Sequence, residues 1–205
     1  MLRSTRTIAL IQALMLGTAA VLGTAAVSST LVGCSDDSKP DYWVEKLQDP
    51  KWQPRAIKRL EQFYEDAITR ANKDPNAKEV RDLIAQIAEP LTKCYVDNYD
   101  KLDVKSRVSL IELIAALKDP RTEPAIKKAF EEFAKRPRTS ADEADIKWAA
   151  RAMRDMKLTG TAGAMLDAFQ KLKAHTMLGG VSYRDMNEAM LAMPQASWSG
   201  PLQKV

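Results

Sequence analysis

DPKWQPRAIKRL at residues 49–60 and DPRTEPAIKKAF at 119–130 share two prolines at the same interval, a basic residue after the first, and an apolar end. Leucine stands two positions before each, in Leu47-Gln-Asp-Pro50 and Leu117-Lys-Asp-Pro120. A proline cannot continue a helix, yet it suits a helical first turn, where the missing N–H has no intrahelical acceptor. The pattern therefore predicts a helix stopped at Pro50 or Pro120, a tight turn, and a second helix started at Pro54 or Pro124.

The same register extends along the chain. Residues 117–130 align with MKLTGTAGAMLDAF at 156–169, and these with MPQASWSGPL at 193–202, a period of about 37 to 40 residues. Pro54, Pro124, Gly163 and Gly200 then fall together, as do Trp52, Thr122, Thr161 and Trp198. Such a period fits stacked helix pairs. Apolar residues at helical spacing support it, before the turn at Ile111, Ile114 and Leu117 or Ala149, Met153 and Met156, and after it at Ala56, Leu60 and Phe63 or Ile126, Phe130 and Phe133. Ile87-Ala-Glu-Pro90 echoes the turn, but Val80, Ile84, Ile87, Leu91 and Cys94 run through it. Here one kinked helix over about 77–97 competes with a broken pair.

LQDPKWQPRA and LKDPRTEPAI resemble HEAT repeats in Asp49, Pro50, Pro54, Arg55 and Ala56, and in Asp119, Pro120 and Pro124. Ala125 stands where that pattern has arginine, and Leu158 and Gln195 replace the aspartate. The resemblance covers residues 41–205 and implies an all-α chain, a right-handed α-solenoid of HEAT-like helix pairs, whose extended surface binds proteins. Some HEAT-like bacterial proteins resemble lyases that attach chromophores, so an enzyme or enzyme subunit is the alternative, with a passive structural envelope protein as the third. The last unit, ending WSGPLQKV, reads as short of its second helix, as in a fragment of a longer array.

The first 33 residues read as an export leader: Arg3 and Arg6 precede IALIQALMLGTAAVLGTAAV, which carries no acid. The 20 apolar-rich residues from Ile8 to Val27 are also long enough for an uncleaved membrane helix. Leu31, Val32, Gly33 and Cys34 resemble the lipobox of bacterial lipoproteins at all four positions. The resemblance implies a diacylglycerol on the Cys34 thiol, cleavage before that residue, an added acyl chain (palmitate is the usual label), and no other cofactor. Residues 34–40, CSDDSKP, would be the tether. Ser35 after the cysteine resembles leaders sorted to the outer membrane, facing the periplasm, where the host has two membranes. Loss of Arg3 and Arg6 with no acid lowers the net charge from +4 to +2, which argues against a nucleic-acid partner. Cys94 is then a single thiol without an intrachain partner.

Little else in the chain suggests chemistry. His175, the sole histidine, sits at a predicted helix end, where a cation suits the dipole, and one histidine makes no metal site. Asp142, Glu143 and Asp145 head a predicted helix, and Glu131-Glu132 reads as a solvated patch. Gly179-Gly180 lacks the flanking pattern of a phosphate loop. Lys147, Arg151, Arg154 and Lys157 share a helix side, either as a solvated face or as a contact for an acidic protein or anionic headgroup. Trp52 and Trp198 are core residues or partner-binding hot spots. The expectation is a non-enzymatic, lipid-anchored scaffold or adaptor in the cell envelope, with the membrane and an unidentified envelope protein as partners.

Overall fold

The structure, a computed structural model, describes residues 37–135, 140–174 and 180–194. Those residues form helices joined by turns, with no strand among them. The α-helices are α1 (Pro40–Lys46), α2 (Gln53–Arg70), α3 (Lys78–Asn98), α4 (Val104–Leu117), α5 (Glu123–Lys135), α6 (Ser140–Met156), α7 (Ala162–Ala174) and α8 (Gly180–Ala192). Short 3-10 turns, η1 (Pro120–Thr122) and η2 (Thr159–Thr161), lead into α5 and α7.

The turns repeat as the sequence register requires. Backbone N–H groups of Trp52, Thr122 and Thr161 donate to the carbonyls of Asp49, Asp119 and Leu158 at 2.9, 3.0 and 3.4 Å. Asp49 Oδ1 accepts from the Lys51 N–H, and Asp119 Oδ1 from the Arg121 N–H, each at 2.9 Å. These aspartates hold the turn through the donor two residues on. Leu158 cannot, and there the Thr161 hydroxyl clasps the turn by donating to the Leu158 carbonyl, as Thr122 does to Asp119. Lys118 and Lys157 end α4 and α6 with φ of 50° and 54°, left-handed helix stops. Pro54 and Pro124 lie in the first turns of α2 and α5.

Pro90 breaks nothing: α3 runs through it. An internal proline costs a helix about 3 kcal/mol. Against that cost, α3 buries Val80, Leu83, Ile84, Ile87, Leu91 and Cys94 among α1, α2, α4 and α5. The segment is therefore one helix where the other units have two.

Helices pack on the next but one along the chain: α1 on α3, α3 on α5, α5 on α7, and α2 on α4, α4 on α6, α6 on α8. Successive helices alternate between these two rows, and the core lies between them. Because α3 is unpaired, the α1–α2 turn and the α4–α5 turn cap opposite ends of it. Gln53, at the first turn, donates to Cys94 Sγ at 3.3 Å; Arg121, at the second, donates to the Ala85 carbonyl at 3.3 Å. Nine residues of helix separate those contacts, about 14 Å along the axis.

Consecutive turns on one edge touch directly. A Cβ on Gly160 of η2 would lie 2.5 Å from Glu123 Oε1 of α5, so glycine admits the glutamate there. Among the described residues the core begins at Trp43. No helix among the described residues is long and apolar enough to cross a membrane.

Candidate functional site

The α6 cations sit where the sequence puts them, but the structure gives them partners. Arg151 donates to Asp185 of α8 at 3.2 Å, and Arg154 to Glu188 at 2.8 Å and Asp155 at 3.0 Å. Asp185 is 2% exposed, so its carboxylate relies on Arg151 for compensation. Lys147 Nζ and the Arg151 guanidinium lie 4.9 and 5.0 Å from the half-buried Trp148 ring. Arg151 and Arg154 thus bind α6 to its row neighbour, and a partner would have to compete with α8 for them.

A buried polar cluster joins α4 to α6 in the same row. Arg107 Nε donates to Asp145 at 2.5 Å and its Nη2 to Asp142 at 2.7 Å, while the guanidinium stacks 4.7 Å from the Tyr99 ring. The Tyr99 hydroxyl donates to the same Asp145 oxygen at 3.4 Å. Burial pushes the Asp145 carboxyl up to about 6, against the pull of Arg107. Burial also raises the Tyr95 and Tyr99 hydroxyls. Asp145 Oδ1 and the Tyr95 hydroxyl find no hydrogen-bond partner among the described residues. Asp145 belongs to the acids expected to serve the helix terminus, yet it is fully buried and ion-paired. Glu132, expected on a solvated patch, is 5% exposed and accepts from Lys128 and Lys135. Both misreadings have one cause: a cation on a different turn or helix covers the acid, and local charge pattern does not reveal it.

Cys94 is a core thiol. It takes the bond from Gln53, whose amide also donates to the Leu47 carbonyl at 2.9 Å, and burial lifts its pKa to about 11. Trp52 is half-buried against the core, with the Arg55 guanidinium 5.7 Å from its ring. Leu31, Val32, Gly33, Cys34, His175 and Trp198 lie outside the described residues. Among the described residues no group of His, Cys, Asp and Glu could hold a metal ion.

A cluster at the first helix pair was not singled out from the sequence. Trp43, 1% exposed, donates its indole N–H to the Asp37 carbonyl at 2.8 Å and so fixes the chain just before α1. Arg55 and Arg59 lie 5.4 and 5.9 Å from the Trp43 ring, Arg59 also 5.3 Å from Phe63, and Lys46 5.3 Å from Tyr42. The first turns of α2 carry Arg55, Lys58 and Arg59 with no acid and no side-chain cap. The acids Glu61, Glu65 and Asp66 follow them; the cations at the start oppose the helix dipole, while Arg70 in the last turn suits it. Aromatic residues more than ten positions apart, met by arginines one turn apart, are a tertiary pattern. Its sequence signal was the run of cations opening α2.

Beside this cluster a groove of about 520 Å³ between α2 and α4 is lined by Arg55, Lys58, Lys105, Ser106 and Ser109, with Glu61 and Asp103. Asp103 caps α4, accepting from the Ser106 N–H at 3.1 Å, and bonding to Ser106 holds its carboxyl below the usual range. No family model matches the chain, and neither a curated protein nor a solved structure matches it.

Proposed function

We propose that this chain is a lipid-anchored protein of the cell envelope, held through a diacylglycerol on Cys34, that presents stacked HEAT-like helix pairs as a scaffold or adaptor for an envelope protein and has no catalytic activity of its own. What carries the reading is the junction at Asp37. Three residues after the lipobox cysteine the chain is tied by Trp43 to a helical body, and the core of the described residues begins at that tryptophan. Such a body can be displayed from an anchor without being part of it.

The alternation of helices between two rows supports a right-handed α-solenoid, with α3 as a half-unit that departs from a uniform array of pairs. Repeat stacks expose extended surfaces, and an anchor concentrates such a surface in two dimensions. In a two-membrane host, Ser35 favours the outer membrane. The test has two arms. Cys34→Ala should abolish incorporation of labelled palmitate and release the chain from the membrane fraction; unchanged labelling sinks the anchor. Crosslinking in envelopes should capture one specific protein, with lower yield when Trp52 and Trp198 are replaced by alanine; capture of none removes the adaptor reading.

A further inference from the structure

We infer that the outer face of the first helix pair, centred on Arg55, Lys58 and Arg59, docks against the phosphate headgroups of an anionic bilayer. This rests on the lipid-anchored reading and specifies how the anchored body sits.

Three observations select this face and occupant. First, among the described residues the two arginines of this face are not ion-paired: Arg59 donates to the Gln62 amide oxygen and Arg55 stacks on Trp43 and Trp52, while Lys58 lies near Glu61 and favours its carboxylate. The α6 arginines, by contrast, are engaged with α8. Stacking on a ring leaves the guanidinium edge free to donate to phosphate oxygens. Second, Arg55 and Lys58 stand in the opening turns of α2, against the helix dipole, a local cost that an external anion would remove. Of the nearby acids, Asp49 accepts from the Lys51 N–H and Asp103 caps α4, while Glu61 shares the groove with Lys58.

Third, the chain leaves little choice of neighbour. From Cys34 to Asp37 the extended reach is about 10 Å. Asp37 is bonded to Trp43, and Arg55 and Arg59 stand over that same ring. These guanidiniums therefore lie within two side-chain contacts of the point where an acylated chain meets the body. Half-buried Tyr42 and Trp52 add aromatic rings of the kind enriched at membrane interfaces. Val104, exposed at the start of α4 next to the groove residues, adds an apolar contact.

The test uses residues 35–205 without leader or Cys34, a separate contact unit that holds the core of the described residues. The chain is sedimented with vesicles of phosphatidylcholine alone or mixed equally with phosphatidylglycerol, with inorganic phosphate as competitor. Binding should require phosphatidylglycerol and fall with salt. It should weaken about fivefold for each of Arg55→Gln, Lys58→Gln and Arg59→Gln, with circular dichroism unchanged. The charge-preserving Arg55→Lys/Arg59→Lys variant should bind nearly as parent, and Lys93→Gln should not matter. No binding to the mixed vesicles, equal binding by the triple glutamine variant, or displacement by millimolar phosphate would each overturn the proposal. Palmitate labelling of the full chain reads the anchor separately, so either can fail while the other stands.

Discussion

Arg107 of α4 and Asp145 of α6 meet at 2.5 Å in the interior, and each sits on a helix that packs directly against the other. The arginine offsets a carboxylate whose burial already raises its pKa to about 6. Arg107→Met should leave the buried Asp145 carboxylate without its cation and cost about 3–5 kcal/mol at pH 7. A carboxyl with a raised folded pKa binds its proton more tightly folded than unfolded, so acidification stabilises the folded state. Part of the loss should return between pH 7 and pH 5, as Asp145 protonates. Urea midpoints of variant and parent at the two pH values measure it; a variant equally impaired at both contradicts this account.

Tyr95 should respond in the opposite direction. Its hydroxyl is buried without a partner among the described residues while its ring stands edge-on to Tyr99, with centroids 5.4 Å apart. Tyr95→Phe keeps the ring contact and removes the unpaired group, so stability should hold or rise by up to about 1 kcal/mol. A fall of that size in the thermal midpoint experiment would mean the hydroxyl is satisfied.

At the α6–α8 contact, Arg151→Ala should cost about 2–3 kcal/mol by leaving the Asp185 carboxylate buried alone. Asp185→Asn in the same chain should recover most of it. A double-mutant cycle by urea denaturation gives the coupling, and additive losses would show that the two residues act independently.

Cys94 should be inert. A buried thiol with pKa near 11 holds almost no thiolate at neutral pH. A disulfide reagent should label the chain of residues 35–205, whose one cysteine is Cys94, only after unfolding. Gln53→Ala, which removes the amide touching both Cys94 and the Leu47 carbonyl, should speed native-state labelling and cost about 1 kcal/mol.

The turns were legible because proline and aspartate act locally: Asp49 and Asp119 need only the next two residues to form their turns. The helix faces were legible for a similar reason, since Leu110, Ile114 and Leu117 repeat at helical spacing wherever α4 is placed. Pro90 shows the limit. Its sequence admits a break, and the decision belongs to the neighbours around Ile87 and Leu91. Polar residues were read least well, since whether Asp145 or Arg151 faces water depends on α4 and α8, which lie 34 or more residues away in the contacts they form. The Trp43 cluster was missed for the same reason.

The lone helix α3 also limits how the protein could be redesigned. Adding or deleting a whole helix pair within α4–α8 would keep every later turn on its original edge. Removing α3, or giving it a partner, would reverse the chain direction of everything downstream, putting the α4–α5 turn on the edge that now carries the α1–α2 turn. Length changes in this chain therefore have a parity. Even steps alter how far it reaches, while odd steps exchange its two edges.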